Sequence, residues 1–418
     1  MSQPINLENP HLDITDPDVY IHGVPHATFK RLRDEDPVSW WDETDGAGFW
    51  AVTRYNDITE VSKNPHIFSS AKGIRIEDMK PDELEARKTV MEMDPPEHTA
   101  YRRMVQPPFS GREVASYEMG IRLLARGVID EVNGRSEFDF VELLARQLPM
   151  RMLGKMLGTP DADGPMLVKK GDALLGNDDP EFTDTPISLV NTDQYRLMPF
   201  RSPVSKEIFA YAEEQARIRR EHPTDDVISR LLQPKRDGEP LSEMEFKNFF
   251  TLLIAAGTDT TRYTMTAGIL ALLEHQDQLA QLREKPELMD GAVEEILRWG
   301  TVTMHFRRTA IQDTELEGQK IKAGDKVLIW YIAGDYDERQ FIDPYKFDIK
   351  RNPNEHLAFG LKSPHKCLGE HLARIEVKIL LEELLPRLSS IQLNGIPERL
   401  RSNFISGIKH LPLKLSWA

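Results

Sequence analysis

Apolar positions along the chain recur mostly at helical spacing, and strand-like alternation is short and lies mostly near the two ends. Segments 37–41 (PVSWW) and 49–53 (FWAVT) are rich in aromatic and β-branched residues and flank Asp45-Gly46, a turn signal, so they predict a hairpin. A short helix is expected over 56–63, stopped at Asn64-Pro65, and 69–92 reads as polar and irregular. Asp94-Pro95-Pro96 marks a turn and the start of a helix running through Val105. Amphipathic helical stretches follow at 114–132, 140–157, 208–220 and 226–232, and 370–385 is strongly helical. Segments 326–332 and 411–415 are the later strand candidates.

The clearest element begins at Ser242-Glu243-Met244-Glu245, a capping-box pattern. A nearly uninterrupted apolar run continues to about His275, which as a helix is about 50 Å long. A helix that long and that apolar must run through the middle of the domain. The 28 prolines are scattered, and there is no internal repeat or low-complexity segment. The expectation is a single domain over 1–418, mainly α with small β-sheets, with a β-rich lobe near 37–54 and 305–335.

Charge and cysteine count narrow the function. The 53 Lys and Arg stand against 68 Asp and Glu, a net charge of −15. An acidic chain repels phosphate backbones, which disfavours a nucleic-acid binder. The lone cysteine, Cys367, has no intrachain disulfide partner. Residues 1–16 lack a signal-peptide pattern, and no stretch approaches the ~20 apolar residues of a membrane helix. The reading is a soluble, cytoplasmic protein.

One place breaks a local rule. Ala256-Gly257-Thr258-Asp259-Thr260-Thr261 puts a glycine, poor helix formers and an acid into the middle of the apolar helix. Either the helix ends at Gly257 and restarts with Asp259 as N-cap, or its backbone opens to present a carboxylate and a hydroxyl to a cavity. Cys367 also stands out, in Phe359-Gly360-Leu361-Lys362-Ser363-Pro364-His365-Lys366-Cys367-Leu368-Gly369. The sulfur precedes a helix, whose unpaired N–H groups favour a thiolate. It can be a small buried hydrophobe, a member of a zinc cluster with His356, His365 and His371, or a single axial ligand as in haem-thiolate enzymes.

Together these segments resemble a bacterial soluble cytochrome P-450, over essentially the whole chain and in the family's order. The motifs are Asp94-Pro95-Pro96-Glu97-His98-Thr99 with Arg102, the Ala256–Thr261 segment, Glu295-Ile296-Leu297-Arg298 followed by Arg351, and the cysteine loop. The resemblance implies a long central helix crossing over a buried haem b with Cys367 as its proximal metal ligand. It implies propionate contacts from His98, Arg102, Arg308 and His365, and cofactor contacts from Ala256, Gly257, Phe359 and Gly369. Glu295, Arg298 and Arg351 correspond to a structural ion cluster. Phe359 lies eight residues before the cysteine, where many members have seven, and Leu361, Lys362, Ser363 and Pro364 replace the usual glycines. The longer loop and the segment 401–409 resemble bacterial relatives that oxidise steroid side chains and methyl-branched lipids.

The implied activity is insertion of one oxygen atom from O2 into a C–H bond of a hydrophobic molecule: a terpenoid, a branched alkyl chain or fatty acid, or a steroid side chain. Asp259 and Thr260 would be catalytic, the acid relaying a proton and the hydroxyl holding a water, while Gly257 leaves room for oxygen. Leu253, Val302, Met304, Phe404 and Ile405 would form the substrate pocket, with further wall from 69–92 and about 180–201. No flavin or iron–sulfur motif is present, so electrons are expected from a ferredoxin with its reductase, docking at Lys362, Lys366, Arg102 and Arg103. The alternatives are a haem-thiolate sensor without turnover and a peroxide-driven oxygenase.

Overall fold

The computed structural model describes residues 5–44, 46–234, 240–360 and 363–418. Its longest element is the helix Glu243–Glu274, 32 residues, or about 48 Å. The Ser242 hydroxyl accepts from Glu245 N–H, and the Glu245 carboxylate accepts from Ser242 N–H, as the capping pattern predicts. Buried side chains occur all round this helix rather than along one stripe. That pattern fits an element enclosed on every side, and Gln147–Leu157, Gly164–Leu175, Val204–Glu221 and Met289–Gly300 pack against it.

The central helix does not break at Gly257. Residues 256–261 remain helical, so neither the restart at Asp259 nor the opened backbone occurs. The threonine hydroxyls explain why the poor helix formers are tolerated. Thr258, Thr260, Thr264 and Thr266 each donate to the carbonyl four residues earlier, at 3.0, 2.8, 2.8 and 2.8 Å. Tertiary packing on all sides then holds a helix that propensity alone would weaken.

The β-rich lobe is a five-stranded sheet. Val38–Trp41 pairs antiparallel with Phe49–Val52, Val38 opposite Val52; Asp45 of the predicted turn lies outside the described residues. Phe49–Val52 runs parallel to Lys326–Trp330, which pairs antiparallel with His305–Ala310, and Phe68–Ser69 closes the edge. Lys326–Trp330 is buried along its whole length, as a central strand covered on both faces must be. It ends two residues short of the expected 332 because Tyr331–Gly334 forms a helical turn. A second sheet joins Glu137–Asp139, Pro412–Trp417 and Leu388–Leu393.

Two further segments differ from the sequence reading. The polar stretch 69–92 contains the helix Pro81–Arg87, with proline in its first turn and the Lys80 N–H donating to the Glu83 carboxylate at 2.8 Å. Seven residues are too few to show a helical period. The stretch 140–157 is interrupted by a π-type turn over Val141–Ala145, where Arg146 N–H donates to the Val141 carbonyl at 2.9 Å. Such a turn adds one residue and rotates the helical face beyond it.

Candidate active site

A cavity of about 340 Å³ lies between the central helix and the cysteine loop. Ala256, Gly257 and Thr260 form one wall; Cys367, Leu368 and Gly369 stand on another. The loop is shaped by its backbone. Cys367 N–H donates to the Phe359 carbonyl at 2.9 Å and Gly360 N–H to the Leu357 carbonyl at 2.7 Å. Gly360 has φ +68, a left-handed turn that glycine adopts without strain. Burial pushes the Cys367 thiol up, while the Gly369 N–H at the start of the helix Glu370–Leu384 and the Arg102 and Arg374 guanidiniums act against it.

Basic groups gather beside this thiol. The rings of His98 and His365 lie 4.2 Å apart, and the Nε2 of each is buried without a hydrogen-bond partner among the described residues. Burial, then Arg102 and Arg308, push His98 down to about 4. Burial, then Arg308, His98 and Arg102, push His365 down to about 2. Arg102 lines the cavity and donates to the Pro364 carbonyl at 3.2 Å. Arg308 stands just behind the wall, buried, donating to the Arg307 carbonyl at 2.8 Å. Four bases held together against burial and mutual repulsion form a site complementary to negative charge. A porphyrin carrying two propionates, with its iron facing the thiol, fits this donor set. Zinc does not: His356 bonds Glu294 at 3.0 Å, and no cluster of possible metal ligands among the described residues includes Cys367.

The ion cluster forms as expected. Arg298 donates twice to Glu295, at 2.9 and 2.8 Å, and Arg351 donates to it at 3.0 Å. Arg298 also donates to the Asp335 carbonyl at 2.8 Å, and the Asp335 carboxylate accepts from Leu357 N–H at 2.6 Å, two residues before Phe359. The cluster is thereby tied to the start of the cysteine loop.

Asp259 is placed differently from the expectation. Thr260 lines the cavity, but Asp259 points away from it into the packing behind the helix. Its Oδ1 lies 3.2 Å from the Thr258 hydroxyl and 3.3 Å from Arg262; its Oδ2 is buried without a partner among the described residues. Arg262 in turn bonds Asp172 at 2.5 Å, and the π-type turn delivers Arg146 to the same carboxylate. Burial pushes the Asp259 carboxyl up, while Arg262, Thr258 and Arg146 act against it. Gly257 also has a second role: a Cβ there would come 3.3 Å from Leu153, so the glycine admits that side chain as well as clearing the wall.

A cytochrome P450 family model matches residues 22–416. This chain belongs to the cytochrome P450 family. It is 35% identical to a linalool 8-monooxygenase of Pseudomonas putida, over 98% of this chain and 99% of that protein. It is 38% identical to a methyl-branched lipid omega-hydroxylase of Mycobacterium tuberculosis, over 94% of this chain and 91% of that one. A Mycobacterium marinum cytochrome P450, CYP268A2, solved in complex with pseudoionone, superposes with a TM-score of 0.88 at 35% identity, covering 99% of both chains. This P450 is therefore a haem b monooxygenase that uses O2 and hydrophobic substrates. Among the described residues no helix is long and apolar enough to cross a membrane.

In this P450 the expected pocket residues divide. Leu253, Val302, Phe404 and Ile405 line the cavity, and so do Phe359 and His365. Met304 does not: it is fully buried in the β-lobe core with Trp330 and Phe49. Its backbone is bonded on both sides, Met304 N–H to the Phe404 carbonyl at 2.9 Å and Ile332 N–H to the Met304 carbonyl at 3.2 Å, and its side chain packs in that core while Val302 and Thr303 line the cavity. On the proposed docking face, Lys366 is paired with Glu370 at 2.5 Å, Arg103 is exposed, and Lys362 lies outside the described residues. The expected walls 69–92 and about 180–201 do contain the cavity-lining Arg87 and Arg201, but sequence reasoning singled out neither arginine and missed the Asp172–Arg262–Arg146 group. Arg262, a charge inside an apolar helix, was the one visible signal among them.

Proposed function

We propose that this P450 hydroxylates an alkyl or isoprenoid chain of a hydrophobic substrate, with Cys367 as the proximal ligand and electrons from a ferredoxin. The carrying observation is one cavity with a thiol on one wall, His98, Arg102 and His365 beside it, the buried Arg308 behind them, and the Thr260 hydroxyl across from it. When bound, haem supplies oxygen activation, and a thiolate ligand pushes electron density towards the iron. His98, Arg102, Arg308 and His365 would hold its propionates by charge-assisted hydrogen bonds. The Thr260 hydroxyl gives its only proton to the Ala256 carbonyl at 2.8 Å, so its free lone pairs accept from a donor in the cavity. That orients a water without admitting bulk solvent. Burial favours the neutral form of Asp259, and side-chain rotation away from Arg262 would bring its carboxyl to the cavity.

Leu253, Val302 and Phe404 present shape rather than polar anchors on the chain-binding wall, and the named substrates of the relatives are branched or isoprenoid molecules. The reading also takes the protein as cytoplasmic, where a ferredoxin is available. The ferrous–CO spectrum tests ligation: Cys367→Ser is expected to lose the thiolate-type band, and an unchanged band overturns the assignment. Thr260→Ala and Asp259→Asn are expected to raise electron consumption per product formed. Fully coupled turnover in both variants would remove the proton-handling role. Charge reversal at Lys366 and Arg103 is expected to flatten the salt dependence of reduction by ferredoxin.

A further inference from the structure

The cavity has a second polar region that oxygen chemistry does not use. Arg87, the last residue of Pro81–Arg87, and Arg201, in the loop before Val204–Glu221, both line it. Phe200 and Arg201 have φ of +57 and +50, two consecutive non-glycine residues in the left-handed region, and both are on the cavity wall. Asn177 fixes the bend by donating to the Phe200 carbonyl at 2.9 Å. Backbone strain of this kind persists where it positions a group for a ligand.

The two arginines share the cavity lining with the carboxylates of Glu77, Asp78 and Glu92, none of which forms an ion pair with either arginine among the described residues. Arg87 makes one hydrogen bond, to the Glu83 carbonyl at 3.4 Å, and no ion pair among the described residues. Arg201 pairs through Nη2 with Asp193 at 2.5 Å, a carboxylate that is 72% exposed, while its Nε is buried without a partner. Burial pushes the Arg87 pKa down, Glu83 and Glu77 push it up, Arg201 pushes it down again, and Glu92 adds a smaller upward push. Glu92 is half-buried, bonded to Thr89, and itself shifted towards its neutral form.

The position of this pair along the cavity comes from the central helix. Asn248 donates to the Ala86 and Lys88 carbonyls at 3.0 and 3.2 Å, which pins Arg87 beside that turn. Ala256, on the wall facing the thiol loop, is eight residues further on, about 12 Å along the axis. Between the two ends the wall carries Leu252, Leu253 and Phe249. We propose that Arg87 and Arg201 bind the carboxylate head of a chain-bearing substrate, which lies along the central helix with its far end at Thr260. This rests on the alkyl-chain reading above and makes the two arginines specificity-determining residues.

The test is a spectral titration of the haem-loaded protein with a methyl-branched fatty acid and with the primary alcohol of the same skeleton. The acid is expected to bind at least about tenfold more tightly, as a charge-assisted pair provides. Arg87→Gln and Arg201→Gln are each expected to remove most of that preference, and Arg87→Lys to restore part of it, with the ferrous–CO band confirming intact folding in each. Equal affinity for acid and alcohol in the unmodified protein, or a preference that survives both glutamine variants, overturns the anion site and leaves the alkyl-chain reading standing. Failure of both compounds to bind overturns both.

Discussion

Truncating Glu295 to alanine removes the centre of the buried ion cluster. Its carboxylate accepts five hydrogen bonds: two from Arg298, one from Arg351, one from Asn354 and one from the Asp348 N–H. The loss falls unevenly. Arg351 keeps three carbonyl partners, at Ile342, Asp343 and Lys346. Arg298 is fully buried and keeps only the Asp335 carbonyl as an acceptor among the described residues. An uncompensated buried guanidinium costs about 3–5 kcal/mol, a large part of the roughly 5–15 kcal/mol that holds an ordinary fold together. Urea denaturation followed by far-UV circular dichroism measures it, and haem content after purification reports the knock-on through Asp335 and Leu357 to the cysteine loop. Arg298→Met alone instead leaves the carboxylate three of its five donors, from Arg351, Asn354 and the Asp348 N–H. The double variant is expected to be more stable than the summed single losses by about 1–3 kcal/mol, because neither charge is then left alone. A Glu295→Ala protein within about 1 kcal/mol of the parent, or strict additivity in the double variant, would refute the reasoning.

Met304→Ala is expected to cost about 2–5 kcal/mol in the same assay while leaving substrate-binding spectra unchanged, whereas Val302→Ala, on the cavity wall, changes the ligand affinity. His410 is pushed down by burial, but its bonds to Asp139 at 2.6 Å and Glu181 at 2.7 Å outweigh this and raise its pKa. Its stabilisation is therefore complete below about pH 6.5 and is lost as pH rises through the raised value. His410→Gln should lower the urea midpoint at pH 6 more than at pH 9. Burial alone pushes Glu376 up to about 8, and neither of its oxygens has a partner among the described residues. The folded protein then keeps a proton that the unfolded chain releases near 4.5, so stability falls as pH rises from there towards 8 and levels off above. Glu376→Gln, which needs no proton, should flatten that decline; an unchanged profile would contradict it.

Elements with strong local chemistry were legible from the residues alone. The Ser242 capping box, the long apolar run behind it, the aromatic hairpin near 37–53 and the helix after Cys367 all formed within a few residues of their expected limits. The motifs holding His98, Arg102, Cys367 and the Glu295–Arg298 pair were picked out through the family resemblance, and the fold brings the first three to one cavity and bonds Arg298 to Glu295. The helix 81–87 escaped notice because it is too short for periodicity to register.

Side-chain direction was a different matter. Asp259 and Thr260 are neighbours, yet one faces the cavity and the other a buried Arg262–Asp172 pair contributed by two helices. Met304 belongs to the β-lobe core and Val302, two residues earlier, to the cavity wall, a division set by the segments packed around them. Arg87 and Arg201 are 114 positions apart, and only the packing of two connecting segments over the central helix brings them to one wall. Local sequence determined which elements form and which chemistry each carries, since hydrogen bonds and helical period act over a few residues. Which faces meet was decided by close packing among elements distant in the chain, a condition no short segment contains.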